Sequence, residues 1–134
     1  MVDLKCIPEH LHRLIGENRY GANCWNACVL FFDTKECVGY TEQSDMEKWL
    51  RLNSFKVRAD EIELGDILVM RDGFDLVHTA ILVKIENSIQ YFWHKPGIAY
   101  GWTVDSYETI KEIYGEHVNG IYWHRAGAVI TKVS

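Results

Sequence analysis

A chain of 134 residues that is 48% hydrophobic, 25% charged and carries two prolines fits one domain with a substantial core, and excludes a low-complexity or disordered chain. The formal net charge of -5 comes with no Lys/Arg cluster, which sets aside nucleic acid or an anionic membrane surface as the main partner. No apolar run approaches the roughly 20 residues of a bilayer span, and the N-terminal stretch lacks an apolar h-region, so neither a membrane span nor a Sec-type signal peptide is expected.

In chain order, "PEHLHRLIG" predicts a short helix over about 8–16, with Pro8 in its first turn and Gly16 at its exit. "ENRYGAN" reads as a loop. From Cys24 to about Phe32, Trp25, Cys28, Val29, Phe31 and Phe32 recur at helical spacing, and a helix apolar around most of its girth belongs at the centre of the fold. "TEQSDMEKWLRLNSF" predicts a further helix, with Ser44 as N-cap and Glu47 completing a capping box. The pattern then changes. "ELGDILVMRD", "DLVHTAILVKIEN" and "SIQYFWHKPG" are β-rich runs separated by turn residues at Asp72-Gly73 and Glu86-Asn87-Ser88, which implies an antiparallel meander. "VDSYETIKEIYG" reads as a short amphipathic helix or an irregular excursion, and "NGIYWHRAGAVITKV" as one or two closing strands. Helices first and an antiparallel sheet second make a single α+β domain over 1–134.

All four cysteines, Cys6, Cys24, Cys28 and Cys37, fall in the first third of the chain. Without a secretory signal they are expected to be free thiols. Cys24 opens the central helix, where unpaired N–H groups and the helix dipole favour a thiolate. Its pKa is therefore expected below the free value of about 8.5. A nucleophilic thiol also needs a base, usually histidine. His78 opens the strand "HTAILVK" and His94 ends the next one, so a hairpin over 78–85 and 88–94 brings both rings to one end of the sheet. There His94 can bond the outer nitrogen of His78 and fix its tautomer. Cys28 reads as core, Asp66 as a turn residue bonding backbone, and His117 and His124 as surface or structural.

Cysteine opening a buried helix after a Tyr-Gly loop, then "LGDILVM", then "HTAILV", then histidine on the following strand, resembles the NlpC/P60 family of papain-like cysteine peptidases and amidases. The similarity runs from about Tyr20 to Gly97. It implies a papain-like fold with helices packed on an antiparallel sheet, Cys24 as nucleophile, His78 as base and His94 as third member of the triad. Tyr20 matches the aromatic that precedes the cysteine in that family, and Tyr20, Asn23 and Trp25 are the residues flanking the oxyanion and substrate. The implied substrate is an amide bond in peptidoglycan stem peptides, with no cofactor and no metal. The flanks depart from the family pattern: Asn23 stands where Asp is usual, and Trp25-Asn26 where Ser-Gly is usual. The order of the motifs excludes the circularly permuted relatives.

Three other readings stay open. One is a papain-like binding module without chemistry, in which Tyr91, Phe92, Trp93, Tyr100 and Trp102 line a groove. Another is an acyltransferase or deamidase relative acting on a protein or lipid. The third is a zinc site from Cys24, Cys28, His10 and His12, whose spacing fits no common finger. Signal-less sequence of this kind suits a cytoplasmic protein, a phage product or an effector exported by a signal-independent route.

Overall fold

The computed structural model describes residues 5, 7–14, 24–32, 42–96 and 102–127. A 3₁₀ helix, Glu9–Leu14, precedes α1 (Cys24–Phe32) and α2 (Gln43–Asn53). The strands are β1 (Ser54–Val57), β2 (Ile67–Asp72), β3 (Asp75–Glu86), β4 (Ile89–His94), β5 (Thr103–Ser106) and β6 (Gly120–Ala126), with α3 (Tyr107–Tyr114) between the last two. They form one six-stranded sheet in the order β1-β6-β2-β3-β4-β5, antiparallel at every pairing.

Local chemistry explains the meander. Gly73 takes φ 61° in the two-residue link between β2 and β3, a conformation that costs glycine nothing. Asn87 and Ser88, at φ 53° and 64°, form the link between β3 and β4 with both turn residues left-handed, the type I′ pattern that matches strand twist. Ser106 caps α3 by accepting a hydrogen bond from the Thr109 backbone N–H at 3.2 Å.

The sheet has helices on both faces, so β2 has no polar side, and Ile67, Leu68, Val69 and Met70 are all buried. One face packs Ile67, Val69, Ile81, Val83, Trp93 and Trp102 against α1, α2 and the 3₁₀ helix. The other packs Leu68, Met70, Ala80, Leu82 and Phe92 against Ile110 of α3. Helices on an antiparallel sheet agree with the α+β expectation.

Four expectations change. The first helix is a 3₁₀ helix over Glu9–Leu14, and Gly16 lies outside the described residues. The N-cap of α2 is Glu42, with no side-chain cap bond, and Ser44 lies inside the helix. Glu47 does not cap because it grips Arg71 with both oxygens, at 2.6 and 2.8 Å; a bidentate ion pair outcompetes one backbone N–H. Residues 54–57 leave α2 directly as strand β1, which pairs with β6. The stretch beginning at Val104 is both strand and helix, β5 and then α3.

Asp66 accepts from the Glu63 backbone N–H at 2.8 Å, the expected turn role, and also holds Arg125 at 2.9 and 3.0 Å. His124 is structural: it is buried, and its Nδ1 lies 3.0 Å from Ser54 Oγ. That hydroxyl donates to the Leu50 carbonyl at 2.6 Å, so the ring nitrogen donates to the serine and does not stand as its base. His117 sits exposed in a 3₁₀ turn.

Candidate active site

The antiparallel pairing of β3 with β4, with Ile81 opposite Trp93, brings the start of one strand to the end of the other. Two fully buried imidazoles meet there: His78 Nε2 lies 2.9 Å from His94 Nδ1. The far nitrogen of His94, Nε2, lies 2.6 Å from Asp105 Oδ2. Asp105 reaches it because β5 pairs alongside β4. The tautomers follow from the partners. A carboxylate only accepts, so His94 Nε2 carries the proton; in the neutral ring Nδ1 is then an acceptor, and His78 Nε2–H donates to it. His78 is left with a bare lone pair on Nδ1, which is buried and has no hydrogen-bond partner among the described residues.

Asp105 is the residue that sequence reasoning missed. The available signal was Ser106, whose capping position starts the helix at Tyr107 and leaves "TVDS" to the sheet. Its side chain keeps 28% exposure and opens on a cavity of about 550 Å³ lined also by Tyr91, Val104, Ser106 and Tyr107. The outer end of the histidine chain is thus in contact with solvent.

Tyr114 of α3 stacks on His78 with ring centroids 4.0 Å apart and an interplanar angle of 19°, and its hydroxyl donates to the Pro96 carbonyl. Burial, with a further contribution from the neighbouring His94, holds the His78 pKa well below the ordinary histidine value. The His78 ring is neutral near pH 7.

α1 begins at Cys24, as expected. Two hydrogen bonds fix the helix on the sheet: Thr79 Oγ1 donates to the Cys24 carbonyl, and Trp93 Nε1 to the Ala27 carbonyl, both at 3.3 Å. Cys24 therefore lies against the residue that follows His78, while the imidazole itself turns to the α3 side of β3. No hydrogen bond joins the thiol to the ring.

The direction of the Cys24 pKa corrects the sequence expectation. Burial outweighs every lowering contribution and pushes the thiol up to about 12; the backbone of Thr79, on β3, and those of Trp25 and Cys24, at the helix N-terminus, lower it. Desolvation of a thiolate depends on what covers it, which the chain order does not reveal. Cys28 is displaced upward by burial too, is a free thiol like Cys24, and belongs to the core as expected.

Trp25 turns its side chain into the core, and its backbone N–H is one of those lowering the thiol pKa. Tyr20, Asn23 and Tyr100 lie outside the described residues. Phe92, Trp93 and Trp102 are fully buried, and Tyr91 lines the cavity beside Asp105. Among the described residues no group of three or more His, Cys, Asp or Glu side chains is disposed to hold a metal ion. No helix among them is long and apolar enough to cross a membrane.

Buried neutral histidines make stability depend on pH. His124, held near 4 mainly by burial, binds a proton in the unfolded chain below its ordinary 6.5 but not in the folded one. Its contribution is complete above pH 6.5 and is lost on acidification towards pH 4, at no more than about 1.4 kcal/mol per pH unit before solvent screening reduces it. His78 adds a loss of the same sign. Urea unfolding across this range is expected to show falling stability with acidification, and a flatter profile in His124→Gln; an unchanged profile would count against neutral burial of His124.

Set against family models, curated proteins and solved structures, the sequence and fold of this chain find no match.

Proposed function

We propose that this chain is a papain-like, NlpC/P60-type cysteine hydrolase that cleaves an amide bond in peptidoglycan stem peptides, with Cys24 as nucleophile, His78 as base and His94 as the residue that orients it. The observation carrying this reading is the chain His78–His94–Asp105, which fixes the tautomers and leaves the Nδ1 lone pair of a buried neutral imidazole without a partner. Two further features support it. The cysteine begins a helix packed on an antiparallel sheet, and its main chain is bonded to the residue next to His78.

Both thiol and ring are uncharged at rest, so no preformed ion pair is involved. As the sulfur attacks the substrate carbonyl, its proton has to be relayed to His78 Nδ1, by water or by the substrate itself, because the ring lies on the other side of β3, and a tetrahedral oxyanion forms. The Cys24 backbone N–H, with Tyr20 or Asn23, stabilises that charge. Collapse breaks the C–N bond, His78 returns the proton to the leaving amine, and a thioester remains. His78 then takes a proton from water, hydroxide adds to the thioester, and the acid departs with the thiol restored. No cofactor enters these steps.

Incubation with purified peptidoglycan and mass spectrometry of the released fragments tests the reading. New amine and carboxyl termini are expected from the wild-type chain and none from Cys24→Ala. The neutral thiol, without a hydrogen bond to His78, favours one second reading, a binding module that keeps the fold without the chemistry. In that case both proteins bind the polymer equally and neither releases fragments.

A further inference from the structure

On the α2 side of the sheet the fold assembles cations that are dispersed along the chain. Lys56 stands directly opposite His124 in the pairing of β1 with β6, so alternation puts Ser54, Lys56, Tyr122 and His124 on one face. A cavity of about 340 Å³ is lined there by Glu47 and Arg51 of α2, Ser54 and Lys56 of β1, Arg71 of β2 and His124 of β6. Arg51, Lys56 and Arg71 set three positive charges against the one carboxylate of Glu47, a local balance of +2 in a chain of net charge -5. Glu47 is already engaged by its bidentate pair with Arg71. Arg51 and Lys56 are exposed, and the Lys56 ammonium stands 5.4 Å from the ring centroid of Tyr122, a contact that restrains its head group.

One atom in this cationic setting has the opposite character. His124 is only 8% exposed, and its Nδ1–H is committed to Ser54 Oγ, so Nε2 is the lone-pair atom of the neutral ring. The ring is neutral near pH 7 because burial, and after it Lys56 and Arg71, disfavour the charged form more than Glu47 favours it. Nε2 has no hydrogen-bond partner among the described residues. Cations around a bare acceptor are the complement of an anion that still carries a proton. We propose that this cavity binds the hydrogen phosphate ion, its charged oxygens held by Arg51, Lys56 and the N–H groups of Arg71 that Glu47 does not use, and its P–OH donating to His124 Nε2. Sulfate has similar size and charge but no proton near neutrality, and would set an oxygen lone pair against that of the ring. A phosphate monoester, with a second pKa of about 6, has largely lost its hydroxyl at pH 7, so the free ion is the better fit. None of these residues belongs to the set of Cys24, His78, His94 and Asp105, and the proposal is independent of the hydrolase reading.

The test is nitrogen NMR of the full chain at pH 7, titrated with inorganic phosphate or with sulfate at one fixed ionic strength, so that general screening is common to both. Phosphate is expected to move the His124 Nε2 resonance along a saturable curve and to bind at least about tenfold more tightly than sulfate, the cost of leaving a buried acceptor unpaired. Lys56→Met is expected to weaken phosphate binding about tenfold, with Lys56→Arg restoring most of it. Both Lys56 and Arg51 are exposed, so their replacement leaves the core intact, and Arg51→Gln gives an independent second loss should Lys56→Met fold poorly. Sulfate binding as tight as phosphate, an Nε2 shift that never saturates, or an unchanged phosphate affinity in the folded variants overturns the proposal. No turnover at Cys24 enters these readouts, so a chain that releases no peptidoglycan fragments leaves the result unaffected.

Discussion

Asp105→Asn is expected to reduce the proposed amide cleavage by between about a hundredfold and ten-thousandfold in kcat with little change in KM, the upper figure being what loss of the orienting carboxylate costs a catalytic triad. In the proposed reaction Asp105 acts through His94, by fixing protons. A carboxylate at 2.6 Å compels His94 to carry its hydrogen on Nε2, and that choice passes through the 2.9 Å bond to His78. An asparagine in the same place offers either a carbonyl or an N–H, so both tautomer chains become available. It also removes the charge that offsets an imidazolium during transfer. Ring nitrogen NMR gives a readout that a purely structural role would not move. His78 is expected to be the single Nε2–H form in the wild type and a mixture in the variant. A single unchanged tautomer in Asp105→Asn would refute the assignment, whatever the activity.

The second large effect is on stability. Trp93→Ala is expected to destabilise the fold by about 3–5 kcal/mol, a large part of the 5–15 kcal/mol that holds a domain of this size together. The indole is fully buried between α1 and the sheet, and its Nε1 donates to the Ala27 carbonyl. Truncation opens a cavity and strips that acceptor of its partner in one step. Trp93→Phe keeps most of the volume and is expected to cost much less. Urea unfolding with an unchanged slope measures both, and a loss under 1 kcal/mol in Trp93→Ala would show that α1 is held on the sheet by other contacts.

How legible the chain was depends on how local each signal is. The bounds of α1, the meander and the meeting of His78 with His94 follow from periodicities and turn residues within a few positions of one another. What escaped depends on distant partners. Glu47 looks like a capping residue until Arg71, far along the chain, takes both its oxygens. The residues of β1 follow α2 without a turn, and they are a strand only because β6 comes to lie beside them. Asp105 gains its role from the register of β5 on β4. Sequence gives the shift of the Cys24 pKa the wrong sign because helix-end effects are visible in it and desolvation is not. The proposed papain-like fold and reaction rest on the order of the motifs along the chain.

The position of β6 between β1 and β2 has a consequence for biosynthesis. The ribosome makes β1 through β5 first, yet β1 has no partner until residues 120–126 emerge and slide into the gap beside it. A nascent chain halted before Gly120 therefore carries an unzipped sheet with the edges of β1 and β2 both bare, an invitation to intermolecular pairing that closes once residues 120–126 have been made.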